Sequence, residues 1–148
     1  MPKFNLTLSA ACENVQFIKR IKETPYILDF VCGKCSEPQN DVELLPENKE
    51  PVPNSRGTTC LNIKCKVCNS TNTVDVVSET AFKGEEQAQK ICAIEIRGSH
   101  KIVAWKYAMF EIESTNGSIF QSEEDEVVEY DEKHEENVNV LEVVRSVE

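Results

Sequence analysis

The chain has 148 residues, 40% apolar and 28% charged, which suits one globular domain or two very small ones sharing a core, and excludes a disordered polymer. Its net charge of −10 is uneven: residues 1–74 carry +1 and residues 75–148 carry −11. Most of the excess lies in 111–136, where 11 acids face the single Lys133, a field that disfavours nucleic acid and anionic membrane as partners.

Residues 4–10 (Phe4 to Ala10) alternate apolar and polar, the period of a half-buried strand, and Glu13-Asn14 turns the chain towards Val15, Phe17, Ile18 and Ile21. Tyr26 to Val31, β-branched and aromatic, forms a second strand that runs straight into Cys32-Gly33-Lys34-Cys35. A metal knuckle needs a tight turn after its first cysteine, and Gly33 is expected to supply it at positive φ. Residues 36–57 hold four of the six prolines and read as loop, with one short strand at Val42–Leu45. Thr58 to Lys64 is a strand delivering Cys65-Lys66-Val67-Cys68. After a turn at 69–72, Thr73 to Val77 pairs back with it as a hairpin.

A polar connector at 84–90 carries the best helical pattern in the chain, and it is short. Strands follow at 91–98, 102–105 and 107–112 (Tyr107 to Ile112), and Asn116-Gly117 gives the strongest hairpin signal. Acid-rich 122–136 leads to a last strand, Val138 to Val147. In that run the placement of Asp125 and Asp131 does not match a calcium-binding EF-hand loop, and Tyr130 among acids reads as a packing anchor.

The halves run in parallel. Leu6-x-Leu8-x-Ala10 matches Ile94-x-Ile96-x-Gly98, Tyr26–Val31 matches Tyr107–Ile112, and Val74–Val77 matches Leu141–Val144, at offsets of 88, 81 and 67. Alternating strands resemble one another in any case, so duplication stays open. The expected fold is all-β: two pseudo-repeated sandwich- or barrel-like sub-domains, 1–83 with the knuckles and 84–148 acidic, together forming one compact domain or two.

Cys32, Cys35, Cys65 and Cys68 are four soft ligands at metal-binding spacing, with 29 residues (36–64) between the pairs. That exceeds a compact ribbon's separation, and the proline-rich insertion accounts for the excess. One zinc(II) per chain is the expected cofactor, its tetrathiolate charge offset by Lys34, Lys64 and Lys66. Copper(I) or an iron–sulfur cluster could use the same thiolates. A thiol–disulfide reading of Cys32–Cys35 would need a helix starting at the first cysteine, and Ser36-Glu37-Pro38 does not start one.

Four thiolates leave no open coordination position, so catalysis at the metal is not expected and no enzymatic activity is assigned. His100 and His134 lack ligand spacing, and His134 in its acidic run reads as solvated. Cys12, Cys60 and Cys92 read as small buried hydrophobes, with Cys60 near enough in sequence to lie behind the metal.

No stretch approaches 18 apolar residues and the N-terminus has no apolar core. The expectation is a cytoplasmic, reducing environment without a membrane span, in which cysteines bind metal. The expected action is through protein partners, as a monomer. Metal transfer to a client, or redox at one cysteine pair, are the alternatives.

Several pieces in order resemble the eukaryotic CXXC-motif-containing zinc-binding protein family. They are Glu13-Asn14-Val15, Cys32-Gly33-Lys34-Cys35, Ser55-Arg56-Gly57, Lys64 to Cys68, Arg97-Gly98, and Tyr130-Asp131-Glu132-Lys133 with Val140–Val144. The resemblance implies an all-β protein of two similar sub-domains, zinc in the first on Cys32, Cys35, Cys65 and Cys68, and no established enzymatic activity. The chain departs from the pattern at Val127-Val128, where similar proteins tend to carry a Trp, and along 99–122.

Overall fold

The computed structural model describes residues 2–84, 87–124 and 126–148, and all of its regular structure there is strand. The first half contains β1 (Lys3–Glu13), β2 (Val15–Arg20), β3 (Tyr26–Val31), β4 (Pro38–Leu44), β5 (Glu50–Pro51), β6 (Thr58–Thr59), β7 (Leu61–Lys64), β8 (Thr71–Glu79) and β9 (Phe82–Lys83). The second contains β10 (Gln89–Arg97), β11 (Lys101–Tyr107), β12 (Phe110–Ser114), β13 (Ile119–Ser122), β14 (Val127–Asp131) and β15 (Glu136–Val147).

They assemble into a six-stranded sheet of order β14-β15-β1-β10-β8-β7, a three-stranded sheet β11-β3-β4, a four-stranded sheet β13-β12-β2-β9, and the pair β5-β6. The alternation at the N-terminus works as expected, because Leu6, Leu8 and Ala10 point into the core with Ile94, Ile96, Ile18 and Val140. Burying each larger aliphatic side chain contributes roughly 1.5–3 kcal/mol. Trp105 joins them, and its indole N–H donates to the carbonyls of Thr7 (3.2 Å) and Ser146 (3.0 Å), so its polar edge is not left unpaired.

A pseudo-two-fold axis organises the strands. Exchanging β1 with β10, β8 with β15 and β7 with β14 maps the six-stranded order onto its own reverse. Exchanging β2 with β11, β3 with β12 and β4 with β13 maps the three-stranded sheet onto β2-β12-β13. Asn5 pairs with Ala93 across the axis, and these residues stand at the offset of 88 that aligned the first strands in sequence. The halves are woven together: each of the three larger sheets takes strands from both sides of Gly84.

Several expectations are corrected. Residues 36–57 are more ordered than their prolines suggested, because β4 pairs with β3 from Tyr26↔Leu44 to Val31↔Pro38. It is an edge strand with Pro38 at its start, where a missing N–H costs no ladder bond. Cys60 divides the expected strand 58–64 into β6 and β7. Tyr107 closes β11 instead of opening the next strand, so the counterpart of β3 starts at Phe110. Gln89 and Lys90 belong to β10, not to a helix, and Glu85 and Glu86 lie outside the described residues. β14 emerges inside the acidic run; Asp125, just before it, is also outside the described residues.

The two sides of the pseudo-axis are closed by different chemistry. Hairpins β3–β4 and β7–β8 end in the cysteine knuckles. Their counterparts β12–β13 and β14–β15 are cross-braced by hydrogen bonds: Ser118 Oγ donates to Asp131 Oδ2 (2.5 Å), His134 Nδ1 meets the same oxygen (2.9 Å), and Asn116 Nδ2 donates to Glu136 Oε1 (2.5 Å). Asp131 is therefore the buried anchor of its segment, whereas Tyr130 is 55% exposed. His134 is held against that carboxylate and is not simply solvated.

Candidate metal centre

Each knuckle follows a strand whose backbone continues into a closed turn. In the first, Cys32 N–H donates to Glu37 O (3.0 Å) and Ser36 N–H donates to Cys32 O (2.9 Å). In the second, Cys65 N–H donates to Ser70 O (2.9 Å) and Asn69 N–H donates to Cys65 O (3.0 Å). The left-handed residue is the one after the second cysteine, Ser36 at φ 64° and Asn69 at φ 61°. Gly33 is not at positive φ. Glycine is required there because the Gly33 N–H donates to Ser99 O (3.0 Å), and a Cβ would sit 2.2 Å from that oxygen.

The turns bring the four sulfurs of Cys32, Cys35, Cys65 and Cys68 within 4.8 Å of one another. Cys32 Sγ lies 3.6 Å from Cys68 Sγ, and Cys35 Sγ lies 3.5 Å from Cys65 Sγ. A disulfide would require about 2.05 Å. Zinc–sulfur bonds of about 2.3 Å in a tetrahedron place sulfurs about 3.8 Å apart, close to the observed contacts. The donor set thus fits zinc. Cys32 and Cys65 are buried, while Cys35 and Cys68 are exposed.

Hydrogen bonds sort the thiols electrostatically. The Ser70 hydroxyl, then the amides of Cys35 and Lys34, hold the Cys32 thiol down at about 5. Ser70, through its hydroxyl and its amide, lowers Cys68 as well. Cys35 receives an amide bond from Glu37, but loss of water and the sulfurs of Cys65, Cys32 and Cys68 outweigh it and push it up to about 12. Four neighbouring thiols cannot all ionise unaided, and a divalent cation at their centre removes that conflict.

The other expected site residues lie elsewhere. Cys60 donates its thiol towards Pro46 O (3.5 Å), so it does not stand behind the metal. Cys92 is buried, and burial followed by the Glu79 charge pushes its thiol up to about 12. Cys12 is partly exposed. Lys34, Lys64 and Lys66 are exposed on the knuckles and make no ion pair among the described residues.

Sequence reasoning missed Ser70 and Ser99. Ser70 Oγ is 3.5 Å from Cys32 Sγ and 3.3 Å from Cys68 Sγ, and Ser99 Oγ is 3.9 Å from Cys32 Sγ. A hydroxyl two residues after Cys68 is a local signal that could have found Ser70. Ser99 arrives from the other half of the chain, and no local pattern marks it.

Residues 5–148 match the family described as "CXXC motif containing zinc binding protein, eukaryotic". The chain belongs to the eukaryotic CXXC-motif-containing zinc-binding proteins. It is 30% identical over 155 residues to the mouse protein of that name, covering 97% of this chain and 96% of the mouse protein. It is 27% identical over 157 residues to "UPF0587 protein CG4646" of Drosophila melanogaster, covering 96% and 94%.

Two solved structures share the fold of this family member. "Crystal Structure of C1orf123" superposes with a TM-score of 0.89 at 24% identity over 99% of both chains. "Hypothetical protein from plasmodium falciparum" superposes with a TM-score of 0.90 at 19% identity over the whole of both. No helix among the described residues is long and apolar enough to cross a membrane.

Proposed function

We propose that this protein is a non-enzymatic zinc-binding protein. One zinc ion per chain, held by Cys32, Cys35, Cys65 and Cys68, ties hairpins β3–β4 and β7–β8 together, and the protein acts through contacts with other proteins. The observation that carries this reading is the convergence of four sulfurs, with contacts of 3.5 and 3.6 Å, from two turns with the same hydrogen-bond pattern. Such a set fills a tetrahedral zinc ion and leaves no position for a reacting water. A groove of about 670 Å³ beside the second knuckle, lined by Val52, Pro53, Ile63, Lys64, Thr73 and Arg97, offers a mixed apolar and polar surface for a partner. The reading also places the protein in a reducing, cytoplasmic compartment as a monomer.

Elemental analysis of protein purified without added metal tests it. About one zinc per chain is expected, and metal-free protein with a readily cycled Cys32–Cys35 disulfide would overturn it. The exposure of Cys35 and Cys68 favours a second reading, in which the zinc is cargo that an incoming thiol can reach. Chelation separates the two: a folding metal takes with it the β signal of the hairpins it ties, whereas cargo leaves the whole fold intact.

A further inference from the structure

The second half of the chain reaches the cysteine cluster through the connection between β10 and β11. Ser99 O accepts the Gly33 N–H of the first knuckle, and the next residue, His100, is 1% exposed. Asn72, 3% exposed and two residues beyond Ser70 of the second knuckle, grips His100 at two points. Its Oδ1 accepts the His100 backbone N–H (3.0 Å), which fixes the orientation of the amide. Its Nδ2, 2.8 Å from His100 Nδ1, must then be a donor, so Nδ1 is the acceptor and the neutral ring carries its proton on Nε2.

Gly98 permits this grip. Its φ is +138°, and a Cβ there would sit 2.0 Å from Asn72 Oδ1. The imidazole is seated against Phe30, with ring centroids 6.4 Å apart, and lines a cleft of about 250 Å³ that it shares with Cys65, Glu37 and Lys66. The chain of contacts is continuous: first knuckle, Ser99, His100, Asn72, second knuckle. None of its bonds passes through a sulfur.

We propose that Asn72 and His100 are positioning residues whose clamp, acting through Ser99, sets how slowly zinc leaves the four cysteines. This rests on the zinc-binding reading above. Zinc leaves a four-thiolate site by successive detachment, and a detached thiolate returns quickly while its knuckle is held at high effective concentration beside the others. The clamp holds the knuckles together while one thiolate is detached and the others still grip the metal. Without it, one detached thiolate lets a knuckle swing away, and the remaining ligands follow.

The test uses the full chain loaded with zinc. Release to excess 4-(2-pyridylazo)resorcinol is followed by absorbance at a temperature where circular dichroism shows every variant folded. Asn72→Ala and His100→Phe should each bind one zinc per chain yet release it about ten-fold faster or more, as expected for losing one or two buried hydrogen bonds. His100→Asn, whose side-chain oxygen can accept from Asn72 as Nδ1 does, should restore slow release. Equal release from wild type and Asn72→Ala, or equal release from His100→Phe and His100→Asn, overturns the clamp.

Amide exchange at full zinc occupancy tests the same idea by a second readout. The Gly33 N–H, which donates to Ser99 O, should be protected in wild type and exchange faster in Asn72→Ala, and equal protection in the two would also overturn the proposal. A wild type that binds no zinc at the outset overturns the underlying reading instead, and that result is visible before any release is measured.

Discussion

At the scale of single residues, the cysteines divide by what surrounds their sulfurs. Cys65 is 2% exposed and 3.5 Å from Cys35 Sγ, whereas Cys60 is 6% exposed and turned to the Pro46 carbonyl. Cys65→Ser should therefore abolish stoichiometric zinc on purification, while Cys60→Ser keeps it; elemental analysis of the two variants checks this. Gly33 gives a sharper contrast. Adding a methyl group there must displace Ser99 O or the knuckle, so Gly33→Ala is expected to cost about 1–3 kcal/mol in denaturant titration. At Gly57 the nearest atom to a new Cβ is 3.6 Å away, and Gly57→Ala should be close to neutral. The four ligands were legible in the sequence because metal chemistry demands thiols at short, fixed spacing. The reason for Gly33 was not, because it depends on a residue 66 positions away. The positive φ belongs to Ser36 and Asn69, where a non-glycine residue tolerates it.

At the scale of elements, strands were legible wherever one face is buried. β3 is bounded as its composition suggests, and Leu6, Leu8 and Ala10 show the alternation that marks β1. Only the end of β4 was legible, as the short strand expected at Val42–Leu45, and β14 was not, because both are sheet edges that bury few residues and so carry polar sequences. Backbone pairing and side-chain bonds hold them instead, and that has consequences for pH. Ser118 and then His134 hold the Asp131 carboxyl below its ordinary value of 3.8. A group depressed on folding adds stability that is complete above the unfolded value and is lost as pH falls through the folded value. The contribution of Asp131 should therefore be intact at neutral pH and disappear on acidification below about 4. Asp131→Asn should lower stability at pH 7 and flatten that acid limb, as read from urea midpoints across pH. A second polar staple joins β2, β3 and β8. Arg20, with its side chain 4% exposed, forms paired bonds with Glu47 and with Glu79, and Glu79 also accepts from Tyr26 Oη (2.6 Å). Arg20→Ala should fall at the lower end of the about 3–5 kcal/mol typical of breaking a buried pair, since the carboxylates keep 29% and 33% exposure to water.

At the scale of the whole molecule, one cross-brace lies on each side of the pseudo-axis, at opposite ends of the fold: four sulfurs between the first pair of hairpins, and Ser118, Asp131 and His134 between the second. The two ends are joined through the β1–β10 pair, which buries Leu6, Cys92 and Ile94 and has no part in either brace. A fold built this way should open locally from whichever end loses its brace, because the central strands retain their own buried contacts. Chelating zinc at neutral pH should raise amide exchange along β3–β4 and β7–β8 while β12–β13 and β14–β15 stay protected. Asp131→Asn should do the reverse, loosening β12–β13 and β14–β15 in a protein that still holds one zinc. Hydrogen exchange resolved to peptides reads both in one experiment. Loss of protection in all four hairpins under either treatment would mean that the halves melt as a single unit. In that case the pairings between the two halves, β2 with β12 and β11 with β3, transmit the loss of one brace to the other.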